Sequence, residues 1–212
     1  MSNNLDENNP VFWDELYREG RTPWDLGSPT PVFADLLQSG VLAPGRTLIL
    51  GCGKGYDAAL FSEHGFEVTA VDFSLEALNH ARRYVASCPR PVTFLHQNLF
   101  SLSPTYDLSF DYVVEYVTFC AVNPRNRQAF ARTVANLLKP GGKLLGLFFP
   151  LDDRPGGPPF VVHWDEVIRV FGKHLVLMSS ETPRRSVGPR KGKEMMTIWE
   201  KPLRAVPQQS SA

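Results

Sequence analysis

The chain has few cysteines, no long apolar run and no excess of charge of either sign. Its three cysteines, Cys52, Cys88 and Cys120, are far apart and form no CxxC pair. That argues against a disulfide framework or a zinc site and points to a reducing, cytoplasmic compartment. Five histidines, His64, His80, His96, His163 and His174, have no metal-ligand spacing, so no metal is expected. No apolar stretch approaches the ~20 residues of a membrane span. The start, MSNNLDENNP, is polar and acidic and lacks the basic-then-apolar pattern of a secretory leader. Lys plus Arg number 22 and Asp plus Glu number 22. A nucleic-acid partner normally calls for a basic excess to neutralise phosphates, so none is expected. What remains is a soluble chain of 212 residues, 43% of them hydrophobic, enough for one well-filled core. A monomer acting on a small molecule is expected.

Residues 1–11 read as a loose tail and 202–212 as another, leaving a single domain over 12–201. Apolar spacing of three and four predicts a short helix over Phe12–Arg18, then a Gly- and Pro-rich loop over Gly20–Pro31. A helix follows over Val32–Ser39. From there apolar runs alternate with helical patterns. Strands are expected at Thr47–Leu50, Val68–Val71, Val92–His96, Asp111–Val117, Lys143–Phe149, Leu175–Ser179 and Met195–Glu200. Helices are expected at Tyr56–His64, from the Ser74 cap to Ser87, at Asn126–Leu138 and at His163–Phe171. The helix before Lys139-Pro140-Gly141-Gly142 should stop at that turn signal. Such alternation implies an α/β fold: a seven-stranded, mostly parallel sheet with helices on both faces. The last two strands have no full helix between them and suit an antiparallel hairpin at the sheet edge, making the last strand antiparallel.

The first strand runs into Gly51-Cys52-Gly53-Lys54-Gly55, and the second ends at Asp72. Glycines let the backbone approach a ligand closely, and a carboxylate at the second strand's end can accept both hydroxyls of a ribose. Dinucleotide enzymes use G-x-G-x-x-G; here the third position is Tyr56, and glycine falls at Gly55 instead. The pattern therefore disfavours a nicotinamide-dependent oxidoreductase. It suits a nucleoside without a pyrophosphate, such as S-adenosylmethionine.

A collinear set of motifs spans roughly residues 12–201. It comprises Trp13, Tyr17 and Gly20-Arg21-Thr22-Pro23-Trp24-Asp25; Gly51 to Asp57; Val71-Asp72-Phe73-Ser74; Phe110-Asp111-Tyr112; Glu115-Tyr116 with Phe119-Cys120-Ala121; Leu137 to Gly142; Gly156-Gly157-Pro158-Pro159; and Arg190-Lys191-Gly192-Lys193-Glu194. In these the chain resembles the thiopurine S-methyltransferase family, and more closely its plant-type thiol, thiocyanate and halide methyltransferases. The resemblance implies a Rossmann-like class I S-adenosylmethionine-dependent methyltransferase fold. It implies donor contacts at Trp13, Tyr17, Trp24, Gly51, Asp72, Asn98, Leu99 and Tyr116. Gly53 and Phe73, beside these in the same motifs, complete the candidate donor set. The chain departs from the family at Asn98, where aspartate is usual, at Phe160, where the plant branch carries tyrosine, and at Leu50, where proline is common.

Methyl transfer is an in-line displacement that needs alignment and a dry pocket more than a base. The aromatic arm, residues 12–31, is read as a lid in which Trp13, Tyr17 and Trp24 exclude water and face a sulfonium by cation–π attraction. Alternatively it is a hydrophobic staple. Tyr116 is the candidate catalytic residue, as a wall or a hydrogen-bond donor to the acceptor. Glu115 beside it pairs with a local donor or faces substrate. The candidate acceptor-side set is Trp13, Glu115, Phe160 and Arg190. Arg190 belongs to a basic stretch, Arg184 to Lys193, that either attracts an anion or is a solvated loop. Cys120 reads as a buried structural thiol. The expected acceptor is a thiol, sulfide, thiocyanate or halide. The alternatives are a bulkier thiol, a heterocycle, a selenium or tellurium oxyanion, or a non-catalytic donor-binding module.

Overall fold

The structure is a computed structural model, and it describes residues 7–153 and 155–203. The expected tail positions 1–6 and 204–212 lie outside the described residues. Seven strands form one sheet: β1 (Arg46–Leu50), β2 (Glu67–Asp72), β3 (Thr93–His96), β4 (Phe110–Tyr116), β5 (Leu138–Phe148), β6 (Val176–Glu181) and β7 (Met195–Glu200). Their order is β3-β2-β1-β4-β5-β7-β6. β1 to β5 pair in parallel, with Ile49 level with Ala70 on one side and Val114 on the other. β7 runs antiparallel to both β5 and β6. The last two strands thus form the expected antiparallel hairpin, with β7 inside the sheet between β5 and β6 and β6 at its edge.

Consecutive strand residues point to opposite faces, and this divides the core in two. Val113 and Leu144 face α5 (Arg127–Leu137) and α6 (Trp164–Phe171), where Phe119, Phe130, Phe148, Phe171 and Trp199 interlock. Val114 and Leu145 face α2 (Pro31–Gln38) and α3 (Tyr56–Glu63), against Phe33 and Phe61. Each buried ring contributes about 1.5–3 kcal/mol. α4 (Leu75–Tyr84) starts at Ser74, whose hydroxyl accepts the Ala77 N–H at 3.1 Å. It ends three residues before the expected limit, in a 3-10 turn over Val85–Ser87.

Other boundaries differ from expectation as well. α1 (Pro10–Arg18) begins before Phe12, because Asn9 caps it by accepting the Val11 N–H at 3.0 Å and Pro10 fits the first helical position. β5 begins at Leu138 and not at Lys143. Phe110 pairs with Leu138, and Tyr112 with Lys143, so Lys139-Pro140-Gly141-Gly142 is a bulge within the strand. Among the described residues no helix is long and apolar enough to cross a membrane.

Candidate active site

In a doubly wound sheet the strand order reverses at one point, and the crevice beyond the strand ends there receives ligands. Here that point lies between β1 and β4. Gly51 follows β1 at φ +52°, and a Cβ on it would lie 2.4 Å from Thr118 Oγ1. Thr118 in turn donates its hydroxyl to the Leu50 carbonyl at 3.0 Å, tying the two strand ends together. Only glycine fits at position 51 without moving that bridge. A cavity of about 940 Å³ opens above, lined by Gly51, Gly53, Asp72, Phe73, Asn98 and Leu99 on one side.

Asp72 faces the glycine turn. One carboxylate oxygen accepts the Gly53 N–H and the other the Ser74 N–H, each at 2.9 Å. Each oxygen keeps lone-pair capacity for a further donor. Burial raises its pKa above the usual carboxylate value, and the Ser74, Gly53 and Phe73 N–H groups oppose that rise. Asn98 caps a short 3-10 turn by accepting the Phe100 N–H at 3.0 Å, which sets its side chain at the cavity rim.

The aromatic arm covers the same cavity. Trp13, Tyr17 and Trp24 all line it. Trp24 stands edge-on to Trp13 and Tyr17, with centroids 5.3 and 5.8 Å apart. The Trp24 indole N–H donates to the Tyr17 hydroxyl at 3.2 Å, and burial drives the Tyr17 pKa well above its normal value. Asp57 closes the arm at its far end. Its two oxygens accept the N–H and the hydroxyl of Thr30, each at 2.8 Å, and burial lifts its pKa to about 6. Lys54 pairs with Asp25 beside Trp24.

The opposite wall is built around Tyr116. Arg190 lies between the Tyr116 and Phe149 rings, its guanidinium carbon 5.1 and 5.0 Å from their centroids. It donates to the Tyr116 hydroxyl and, at 2.6 Å, to the Trp24 carbonyl. Tyr116 donates its hydroxyl to buried Glu194 at 2.6 Å, and Glu194 also accepts from Ser186. Burial raises the Tyr116 pKa. The phenolic proton points at Glu194 and the phenolic oxygen accepts from Arg190, so in this arrangement the Tyr116 hydroxyl is engaged on both sides and its ring forms the wall.

A model of the family described as Thiopurine S-methyltransferase matches residues 8–203. The chain belongs to the thiopurine S-methyltransferase family. It is therefore an S-adenosylmethionine-dependent methyltransferase, of the thiol methyltransferase type. It is 36% identical to "Probable thiol methyltransferase 2" of Arabidopsis thaliana, over 93% of this chain and 88% of that one. It is 37% identical to Thiocyanate methyltransferase 1 of Brassica oleracea, over 89% and 84%. The fold is shared with the Burkholderia thailandensis 1,6-didemethyltoxoflavin-N1-methyltransferase solved with S-adenosylhomocysteine. The TM-score is 0.71 at 21% identity, over 91% of this chain and 87% of that one.

The residues present fit the family's donor. Asp72 would offer its remaining lone pairs to a vicinal diol, the turn at Gly51 and Gly53 leaves the approach clear, and three aromatic rings bound the cavity. Its volume is near the upper end of the ~300–1,000 Å³ typical of ligand pockets. When bound, the donor supplies an electrophilic methyl group on a sulfonium. Trp13, Tyr17 and Trp24 would exclude water and present ring faces to positive charge.

Of the expected acceptor-side residues, Trp13 and Arg190 line the cavity, and Glu115 and Phe160 do not. Glu115 precedes Tyr116 in β4, so it projects to the other face of the sheet. It is 1% exposed, and its Oε1 accepts the Thr118 and Phe119 N–H groups at 3.0 and 2.7 Å. Burial raises its pKa to about 7, against the pull of those N–H groups and of Arg127. The Phe160 ring packs on Gly157, and its N–H donates to the Cys120 carbonyl at 2.8 Å. Of the basic stretch, only Arg190 lines the cavity; Arg185 pairs with Asp35 at 2.6 Å, and Lys193 with Asp152 at 3.2 Å. Burial pushes the Cys120 thiol up to about 12, which keeps it protonated. Asp14 stands outside the quoted motifs, while Asp57 and Glu194 stand within them but had no expected role. Acidic character was visible at each, but their partners are distant in the chain.

Proposed function

We propose that the protein transfers the methyl group to a small soft nucleophile, a thiol, sulfide, thiocyanate or halide, by in-line displacement. The observation that carries this reading is the acceptor wall: a buried guanidinium between two aromatic rings, whose neighbouring carboxylate, Glu194, is taken up by the Tyr116 and Ser186 hydroxyls. Among the described lining residues there is no histidine, and the acids are engaged. Asp72 accepts from Gly53 and Ser74, Asp57 from Thr30, Glu7 from Asn123, and Asp25 pairs with Lys54. A nucleophile that arrives as an anion needs no proton removed, and Arg190 favours its entry. An apolar, water-poor cover then favours the reaction of opposite charges. The two plant relatives named as thiol and thiocyanate methyltransferases support the same acceptor class.

The test is a panel of sulfide, thiocyanate, iodide, a thiophenol and a thiopurine with labelled donor. Methylated thiocyanate and iodide are expected, with rates flat in pH, while thiol methylation climbs as the thiol ionises. Transfer restricted to the thiopurine would assign a bulky heterocyclic acceptor instead.

A further inference from the structure

The nine-residue helix α1 carries Trp13 and Tyr17, yet isolated helices shorter than ~12 residues are marginal in water. Its form depends on what it docks against, and its aromatic face meets a cavity. The polar side supplies the contact. Asp14, between the two aromatic residues, accepts the Ser74 hydroxyl at 2.6 Å and the Glu76 N–H at 3.1 Å. Glu76 is in the first turn of α4, where N–H groups lack helical partners and negative charge is favoured. Arg18 also reaches Glu76, at 3.2 Å, but that pair is exposed and worth little.

Ser74 is the hinge of this arrangement. Its hydroxyl donates to Asp14 on the cover, while its N–H donates to Asp72 in the cavity. The same hydroxyl oxygen caps α4 through Ala77. One residue therefore fixes both the cover's seat and the carboxylate expected to take the donor's ribose. We propose that Asp14 is a positioning residue for the methyl donor: through Ser74 it seats the aromatic cover on the turn that presents Asp72, so cover closure and donor binding are thermodynamically linked. By reciprocity, a bound donor then stabilises the docked α1 as much as docking tightens the donor. The proposal rests on Asp72 as the ribose acceptor.

The experiment measures S-adenosylhomocysteine binding by calorimetry and protease cleavage within residues 7–31, in the full chain. Asp14→Ala should bind roughly tenfold more weakly, having lost two hydrogen bonds to a charged acceptor. Ligand should protect the arm of the wild type and leave that of Asp14→Ala exposed to cleavage. Asp14→Asn keeps an oxygen acceptor and should recover most of the affinity. Arg18→Ala, which removes the exposed tether, should change affinity less than twofold. Unaltered affinity in Asp14→Ala, or weakened affinity explained by a matching fall in the melting temperature of the whole domain, would overturn the proposal. So would an Asp14→Ala chain that fails to fold, since a terminal arm is not needed to form the sheet. Asp72→Ala separates the two ideas. If it binds weakly while Asp14→Ala binds normally, only the Asp14 proposal falls; if it too binds normally, the ribose assignment falls with it.

Discussion

Replacing Glu115 by Gln should flatten the dependence of stability on pH. Glu115 is fully enclosed behind the acceptor wall, and burial sets its pKa at about 7 against an ordinary 4.5. A folded-state value above the unfolded one favours the folded state while the group is protonated. Its contribution is full below about pH 4.5 and is lost as pH rises through about 7. Between pH 5 and pH 8 the loss from this group is about 2–3 kcal/mol. Glutamine keeps an amide oxygen for the Thr118 and Phe119 N–H groups and does not titrate. Its NH2 would occupy the position of Oε2, which has no hydrogen-bond partner among the described residues. That cost, about 1–3 kcal/mol, applies at both pH values and cancels. Urea unfolding at pH 5 and pH 8 measures the difference directly. The wild type should lose about 2–3 kcal/mol more than the variant over this range. Equal losses would refute the enclosed, proton-sensitive environment argued for Glu115.

Three further outcomes are expected. Arg190→Met should raise the KM for thiocyanate and iodide about tenfold or more, by removing a cation from the acceptor wall; steady-state kinetics reads this, and an unchanged KM would contradict the role of Arg190. Asp57→Ala should lower stability by about 1–3 kcal/mol, because it strips both acceptors from Thr30. Asp57→Asn should lose less, since its amide can pair with the same N–H and hydroxyl, and thermal melts would show a reversal of that order if the reasoning fails. Cys120→Ser should keep turnover within a few-fold, because the thiol is held protonated and donates to the Val117 carbonyl at 3.2 Å. A covalent adduct found at Cys120 during turnover would count against this.

The parallel sheet was legible because each apolar run stops at a residue with a physical reason to stop it. β1 stops before Gly51, which the Thr118 bridge requires, and β2 ends at Asp72. The start of β5 was not legible, because Pro140-Gly141-Gly142 carries the composition of a turn and serves as a bulge. Tyr116 was found on the cavity side, but its neighbour Glu115 was placed there too, against the alternation of a strand. The polar contacts that build the site were hidden by distance along the chain. Asp14 meets Ser74 across 60 positions, and Tyr116 meets Glu194 across 78. Local pattern carries no signal for such pairs; a burial-prone acid near a motif is as much as the sequence offers.

The central claim is that the turn at Gly51–Gly55 and the Asp72 carboxylate hold an adenosyl group whose sulfur faces the aromatic arm. A crystal structure of the protein with S-adenosylhomocysteine measures this most directly. Both ribose hydroxyls should lie within hydrogen-bond distance of Asp72, about 2.5–3.0 Å, with the sulfur facing Trp13, Tyr17 and Trp24. A ligand bound elsewhere, or an Asp72 carboxylate turned away from it, would contradict the account.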